Sequence, residues 1–275
     1  MPYPHAHWAL LALVAALSVA FWPGYFSRLG ESPLAHHVHG LTASLWILML
    51  LLQSWAIHGR RIRLHRAVGR SSLLLFPLFL VGGLMVLHAM ATGFAAQADP
   101  FMVKFGARLG LLDLIAVAAF AWLYHGALRH RRNVQLHARF MLATPLLLLA
   151  PIVSRLLTFH VPYFAIEGLE DFPVFFANLH VSNGVALVTA LWLYASAPRH
   201  GWPFLAVAGV AVFQGAAFQW VAATAGWQAT FAAFAAVPVA VPGLVGLAAG
   251  VIVARAGWVG PQGPGRPPLM ERAAP

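Results

Sequence analysis

The sequence predicts an all-α fold, a polytopic integral membrane bundle of about eight transmembrane helices, from its scarcity of charge and its long apolar runs. Of its 275 residues, 61% are hydrophobic and only 9% are charged, whereas soluble domains carry roughly 25% charged residues. The apolar runs reach about 20 residues, which lets a helix cross a hydrocarbon core of about 30 Å. Because these Leu- and Ala-rich runs are too long for barrel strands, they favour helices.

Eight apolar segments follow one another along the chain, with boundaries good to a few residues. They cover residues 8–26, 39–58, 70–91, 106–126, 138–160, 173–197, 202–223 and 230–254. No Lys or Arg precedes the first segment, so we expect an uncleaved span instead of a signal peptide. The last segment contains Pro238 and Pro242, which predict a kink or a break. The transmembrane domain therefore covers residues 1–256, and the Pro- and Gly-rich residues 257–275 are predicted to form a disordered cytoplasmic tail.

The charged residues are distributed unevenly between the two ends of these spans. Thirteen of the 17 basic residues share one side: Arg60, Arg61, Arg63, Arg66, Arg70, Arg129, Arg131, Arg132, Arg139, Arg199, Arg255, Arg266 and Arg272. Five of the seven acids share the other: Glu31, Asp99, Glu167, Glu170 and Asp171. Since Lys and Arg are enriched in cytoplasmic loops, we expect a multi-pass protein of the bacterial inner membrane with both termini in the cytoplasm. The net charge of +10 then reflects topology and contact with a lipid bilayer, not a nucleic-acid partner.

Cysteine and the common nucleotide-binding motifs are missing from the sequence. Without cysteine, thiolate metal sites, iron–sulfur clusters, disulfides and cysteine nucleophiles are excluded. The sequence contains no P-loop, dinucleotide fingerprint or serine elbow. Any chemistry must therefore use other residues, and histidine is the most prominent.

The fourteen histidines form two layers in this topology. The predicted outer set is His36, His37, His39, His88, His160 and His180, and the inner set is His58, His65, His125, His130 and His137. Along one helix, His39 and His58 lie roughly 28 Å apart at 1.5 Å per residue, close to opposite membrane faces. Two layers of imidazoles on neighbouring helices are typical of a bundle that holds haem near one or both faces.

The predicted outer site combines His39 and His180, with His88 as a competing member. His39 begins a polar stripe that continues through Trp46 and Gln53 on one face of the second span. Two imidazoles from different helices could bind the same metal, the iron of haem b, with Arg155 or Arg108 paired to a propionate. The alternative is a set of unconnected rings at the membrane interface, where histidine is comfortable.

Two further charges, Asp113 and Arg155, are predicted within the fourth and fifth spans. Sequential spans are antiparallel, and both residues lie below their outer ends, so the simplest expectation is a buried ion pair. The functional alternative makes Asp113 a proton carrier and Arg155 a partner of a propionate or a quinone.

Two short motifs support a family resemblance. The segments LHRAVG, from Leu64, and LHARFM, from Leu136, precede apolar spans. They resemble the LHRxxG and HxxxM patterns of an uncharacterised family of bacterial predicted membrane proteins, over about residues 58–160. The residues that match are His65, Gly69, His137, Met141 and Arg155. More loosely, histidines at helix ends resemble cytochrome b561 and related haem-b carriers, which implies His65 and His137 as further cofactor-binding candidates.

These observations predict a haem b-binding membrane protein that transfers electrons or supports a respiratory enzyme, with a quinone or a respiratory complex as partner. Two other classes stay open. One is a non-catalytic membrane protein or small transporter with interfacial histidines, and the other is a metal-dependent membrane enzyme.

Overall fold

The computed structural model describes residues 3–259, and this part of the chain is an all-α bundle without strands. Its helices are α1 Ala6–Phe21, α2 Leu34–His58, α3 Ile62–Ala95, α4 Pro100–Arg129, α5 Val134–Ala143, α6 Leu149–His160, α7 Phe172–Ser196, α8 Trp202–Ala216, α9 Ala225–Phe234 and α10 Ala240–Val259. Residues 257–259 belong to α10, and the rest of the predicted tail, 260–275, lies outside the described residues.

The protein is a multi-pass membrane protein. Seven segments of the described chain are long and apolar enough to cross a bilayer, and they contain α2, α3, α4, α5 with α6, α7, α8 and α10. The 16-residue helix α1 is apolar but shorter. Many large apolar side chains on these helices are exposed, among them Leu45 and Trp192. Exposed apolar side chains on membrane-spanning helices are expected to contact lipid.

The two ends of the described chain lie at the same end of the bundle. The guanidinium of Arg139 lies 5.4 Å from the ring centroid of Tyr3, and that of Arg131 lies 4.6 Å from the ring of Trp258. Both arginines are close to the connection between α4 and α5. We call this end, which also holds the connection between α2 and α3, the inner end, and the opposite end the outer end.

Two predicted spans are interrupted in the structure. The fifth contains a 3₁₀ segment, Thr144–Leu148, between α5 and α6, and Pro145 lies at its start. The eighth was predicted to begin near residue 230, but α9 ends at Phe234 and α10 begins at Ala240. Pro238 lies in this gap, and because proline lacks a backbone N–H it favours a break there.

The centre of the bundle is an aromatic cluster formed by α2, α3 and α4. Trp46 is fully buried, and its indole N–H donates to the Thr144 hydroxyl over 3.0 Å. The rings of Phe79 and Phe120 stack with centroids 4.4 Å apart. The ring of His39 lies on the outer side of this cluster, 5.6 Å from Phe79. The aromatic cluster therefore packs against the inner side of His39 and its polar neighbours.

Candidate functional site

Four polar side chains from three helices come together in the outer half of the bundle. They are His36 and His39 of α2, Asp113 of α4 and Arg155 of α6, and we call them the outer cluster. The charge of Arg155 acts on all three of the others. Titratable groups this deep in a membrane protein are costly unless they have a partner or a water-filled cavity.

A glycine on α3 places His39 in this cluster. A Cβ built on Gly82 would lie only 2.6 Å from the Cα of His39, so α2 and α3 can approach this closely only because position 82 has no side chain. The Nδ1 atom of His39 is buried and has no hydrogen-bond partner among the described residues. Most buried polar atoms are hydrogen-bonded, so this nitrogen has an unused position for a ligand or a hydrogen bond.

Arg155 lies at the edge of α6 that faces α1 and α2. Its guanidinium donates to the Pro151 carbonyl over 3.2 Å and lies 4.4 Å from the ring centroid of Phe21. These contacts use only part of the five donors of a guanidinium. The remaining donors are available to an acceptor in the outer cluster.

Asp113 and Arg155 share this region but do not form the direct ion pair predicted from the sequence. Within residues 3–259, no carboxylate oxygen of Asp113 lies within 4.0 Å of an Arg155 nitrogen. Asp113 is half-buried and the side chain of Arg155 is exposed. The two opposite charges therefore lie in the same cluster without a direct contact.

The structure places His180 away from His39, so the predicted pair of His39 and His180 is not brought together. On α7, Asn178 faces α6 and donates to the Ser154 carbonyl over 3.1 Å and to Thr158 over 2.9 Å. His180 follows Asn178 by two residues, which is a rotation of about 200° around the helix axis. Its side chain therefore points away from α6. There it is exposed, with its ring centroid 6.1 Å from that of Phe218.

His180 lines an open groove at the outer end of the bundle. The groove has a volume of about 1100 Å³ and lies between the connection of α3 to α4, the start of α7 and the π-helical segment Ala217–Val221. Its polar lining includes Asp99, Lys104 and Gln219. His180 thus belongs to a surface groove, not to the outer cluster.

His88, the competing member of the predicted outer site, has a structural partner. It is buried on α3, its Nε2 donates to the Val237 carbonyl over 2.8 Å, and its ring meets that of Phe234 edge-on at 5.3 Å. This hydrogen bond ties the break between α9 and α10 to α3. The direction of the bond follows from the carbonyl, which can only accept.

The motif residues His65 and His137 come together at the inner end. His65 lies close enough to His137 for its charge to act on that ring, and the Nδ1 of His137 donates to the Ala127 carbonyl over 2.9 Å. Gln53 donates to the backbone carbonyl of His65 over 3.0 Å, and a Cβ on Gly69 would lie 3.6 Å from the same amide. The LHRAVG and LHARFM segments therefore meet next to the inner end of α2.

Two groups outside the spans, His130 and Tyr3, have shifted pKa values. Burial, followed by the positive charge of Arg129, lowers the pKa of His130 below its usual range. Burial raises the pKa of Tyr3 against the opposing effect of Arg139. Both shifts favour the neutral form, so the inner connection carries its positive charge on arginine.

Sequence reasoning missed one histidine. His7 belongs to neither predicted layer, but its ring centroid lies 6.1 Å from that of His58. The depth of His7 could be predicted, because it lies in the first turn of an apolar helix antiparallel to α2 and is therefore level with the end of α2. The sequence does not show, however, that the side chains of His7 and His58 point toward each other.

Comparisons with known proteins add no family. The chain matches no family model, no curated protein and no solved structure. Within residues 3–259, no three His, Asp or Glu side chains converge as a metal-binding group.

Proposed function

We propose that the outer cluster binds haem b and that the protein transfers electrons or supports a respiratory enzyme in a bacterial inner membrane. One observation carries the proposal. The unpartnered Nδ1 of His39 is buried within the bundle, in the same cluster as the Arg155 guanidinium.

The donor groups of the outer cluster suit haem in kind. Neutral imidazole is a strong axial ligand of haem iron, and a guanidinium pairs well with a carboxylate such as a propionate. When bound, haem would supply one-electron redox chemistry. Phe79 would supply an aromatic wall beside His39, since their rings already lie 5.6 Å apart.

The remaining side chains of the cluster would hold the site in place and balance its charge. Gly82 allows the close approach of α2 and α3 that positions His39. Asp113 would supply the negative charge that balances Arg155, and a carboxyl at this depth can accept or release a proton. His36, one turn before His39, is exposed and connects the cluster to the outer surface.

The histidines that the sequence suggested as second ligands lie elsewhere. His88 is bonded to the Val237 carbonyl, and His180 lines the outer groove. Because neither of them is available beside His39, we expect carbon monoxide to bind the reduced haem protein and to shift its Soret band.

The lipid-facing surface of the spans is compatible with electron partners that lie in the membrane. The spans present large apolar side chains to lipid, and a quinone or a respiratory complex could approach along that surface. We propose the same orientation for the whole chain as the charge distribution predicts, with the arginine-rich inner end and both termini in the cytoplasm.

The optical spectrum of purified protein tests this proposal. We expect a Soret band that shifts on reduction with dithionite, and we expect His39→Ala to abolish it while membrane insertion is retained. Arg155→Gln should weaken haem retention, whereas His130→Ala, a matched histidine outside the spans, should leave the spectrum unchanged.

Two results would overturn the proposal. If His39→Ala keeps the wild-type spectrum, the ligand lies elsewhere. If the wild-type protein is colourless, stoichiometric zinc or iron would favour a metal-dependent membrane enzyme, and a metal-free protein would favour a transporter or a non-catalytic role.

A further inference from the structure

A second pair of imidazoles lies at the inner end of the bundle, far from the outer cluster. His7 is in the first turn of α1 and His58 is in the last turn of α2. Their ring centroids are 6.1 Å apart and their planes are inclined by 43°. An inclination of this size is not a stacked arrangement, so ring stacking does not account for the pair.

Three polar atoms at this place are buried and have no partner among the described residues. They are the Nδ1 of His7, the Nε2 of His58 and the hydroxyl oxygen of Ser54, which lies one turn before His58. A single unpartnered atom is uncommon in a protein interior. Three unpartnered atoms in one small region indicate a common partner that binds there.

The orientation of His58 favours a metal ion as that partner. Its Nδ1 donates to the Ser54 carbonyl over 2.7 Å, which leaves the lone pair of Nε2 free in the neutral ring. A backbone carbonyl that holds the opposite ring nitrogen is the usual second contact of a metal-binding histidine. His58 is thus held as a ligand would be.

The spacing also fits. Metal–nitrogen bonds of about 2.0–2.1 Å place two imidazole centroids about 6 Å apart when the rings lie on opposite sides of an ion. We propose that His7 and His58 bind one transition-metal ion of the imidazole-preferring class, Cu²⁺, Zn²⁺ or Ni²⁺. Water and the Ser54 hydroxyl would complete the coordination.

Contacts next to the two histidines fix the start of α1 and direct a nearby positive charge away from the pair. The Tyr3 hydroxyl donates to the Leu193 carbonyl over 3.1 Å, which fixes the chain just before α1. The nearby Arg61 lies with its guanidinium 4.1 Å from the ring centroid of Trp55, a position on the exposed side of α2, so its charge is directed outward. The ion would link the start of α1 to the end of α2.

Metal binding to protein carrying a histidine-free affinity tag tests the site. After treatment with EDTA and dialysis against Cu²⁺, Zn²⁺ or Ni²⁺ in turn, we expect one ion per chain from at least one metal by elemental analysis. His7→Gln and His58→Gln should each weaken the affinity at least tenfold by calorimetric titration, and Ser54→Ala should weaken it less. His5→Gln, an exposed neighbour in the same segment, should bind as the wild type does.

The outcomes separate this site from the proposed haem site. Loss of the ion in His7→Gln with an unchanged haem spectrum supports two independent sites. Size-exclusion chromatography shows which variants are folded. If no metal binds stoichiometrically, or if all folded variants bind it with equal affinity, the ion site is overturned. A haem spectrum that is lost in His7→Gln but retained in His39→Ala would assign haem to this pair and would overturn both proposals.

Discussion

Asp113 and Arg155 are opposite charges that lie near one another and yet remain separate. Direct pairing would normally be favoured at this depth, because an isolated charge in a low-dielectric environment is expensive. Arg155 instead bonds to the Pro151 carbonyl and packs over Phe21. The unused guanidinium donors of Arg155 and the carboxylate of Asp113 are therefore available to a polar partner in the outer cluster.

A double-mutant cycle measures how strongly these two charges interact. Asp113→Asn and Arg155→Gln should each lower the free energy of unfolding, because each leaves the other charge with less compensation. We expect a coupling energy of about 0.5–1 kcal/mol, at the low end of the range for interacting residues, because no salt bridge joins them. The measurement is denaturant unfolding in detergent micelles. A coupling of several kcal/mol would mean that the two side chains are in direct contact.

The depth of each polar residue could be predicted from the sequence, but the direction of its side chain could not. Depth follows from counting residues at 1.5 Å each along a span. Direction around the helix axis depends on how helices pack, and a polar stripe identifies it only where many residues agree. His39 lies on such a stripe and does face the bundle interior. His180 sits at the expected level, yet it faces the outer groove while the neighbouring Asn178 faces α6.

At the scale of elements, α10 packs against α3 and α4 through small residues. Gly246, Gly250, Ala254 and Gly257 are buried along one face. A Cβ on Gly250 would lie 2.5 Å from the Cα of Pro77, and one on Gly246 would lie 2.7 Å from the Leu80 carbonyl oxygen. Small residues allow such backbone contact between membrane helices. Close packing here therefore requires small residues on this face of α10.

A leucine in this contact should destabilise the bundle. Gly250→Leu would force backbone atoms of α3 and α10 apart, and overpacking typically costs about 1–3 kcal/mol. The control is Gly209→Leu on α8, where a Cβ would meet nothing within 4 Å. Thermal unfolding in detergent should show a lower midpoint for Gly250→Leu alone. Equal midpoints for the two variants would contradict the packing of α10.

The spans themselves were predictable because each is a long apolar run. A break in the last span was also predicted, from Pro238 and Pro242, and the structure places it at Pro238, between α9 and α10. The structure also shows what anchors the break, since His88 donates to the Val237 carbonyl. This contact joins residues distant in sequence, so no local pattern could have revealed it.

At the scale of the whole molecule, charge and geometry agree on which ends of the spans lie together. The arginine-rich connections, α2 to α3 and α4 to α5, lie at the inner end, where both ends of the described chain also lie. Asp99, which caps α4 by accepting from the Met102 N–H over 2.8 Å, lies at the outer end. The excess of arginine at the inner end predicts that this end faces the cytoplasm.

Cysteine labelling in intact cells tests this orientation directly, because the chain contains no native cysteine. Cysteines introduced at Arg61 and Arg131 should resist a membrane-impermeant maleimide, since these positions are expected to face the cytoplasm. A cysteine at Gln97, beside the outer start of α4, should be labelled. All three should react after permeabilisation, which controls for cysteines that are merely inaccessible. If Arg61→Cys and Arg131→Cys were labelled in intact cells while Gln97→Cys was protected, the bundle would be inverted. His39 and His36 would then open toward the cytoplasm, and the electron partner would have to be sought there.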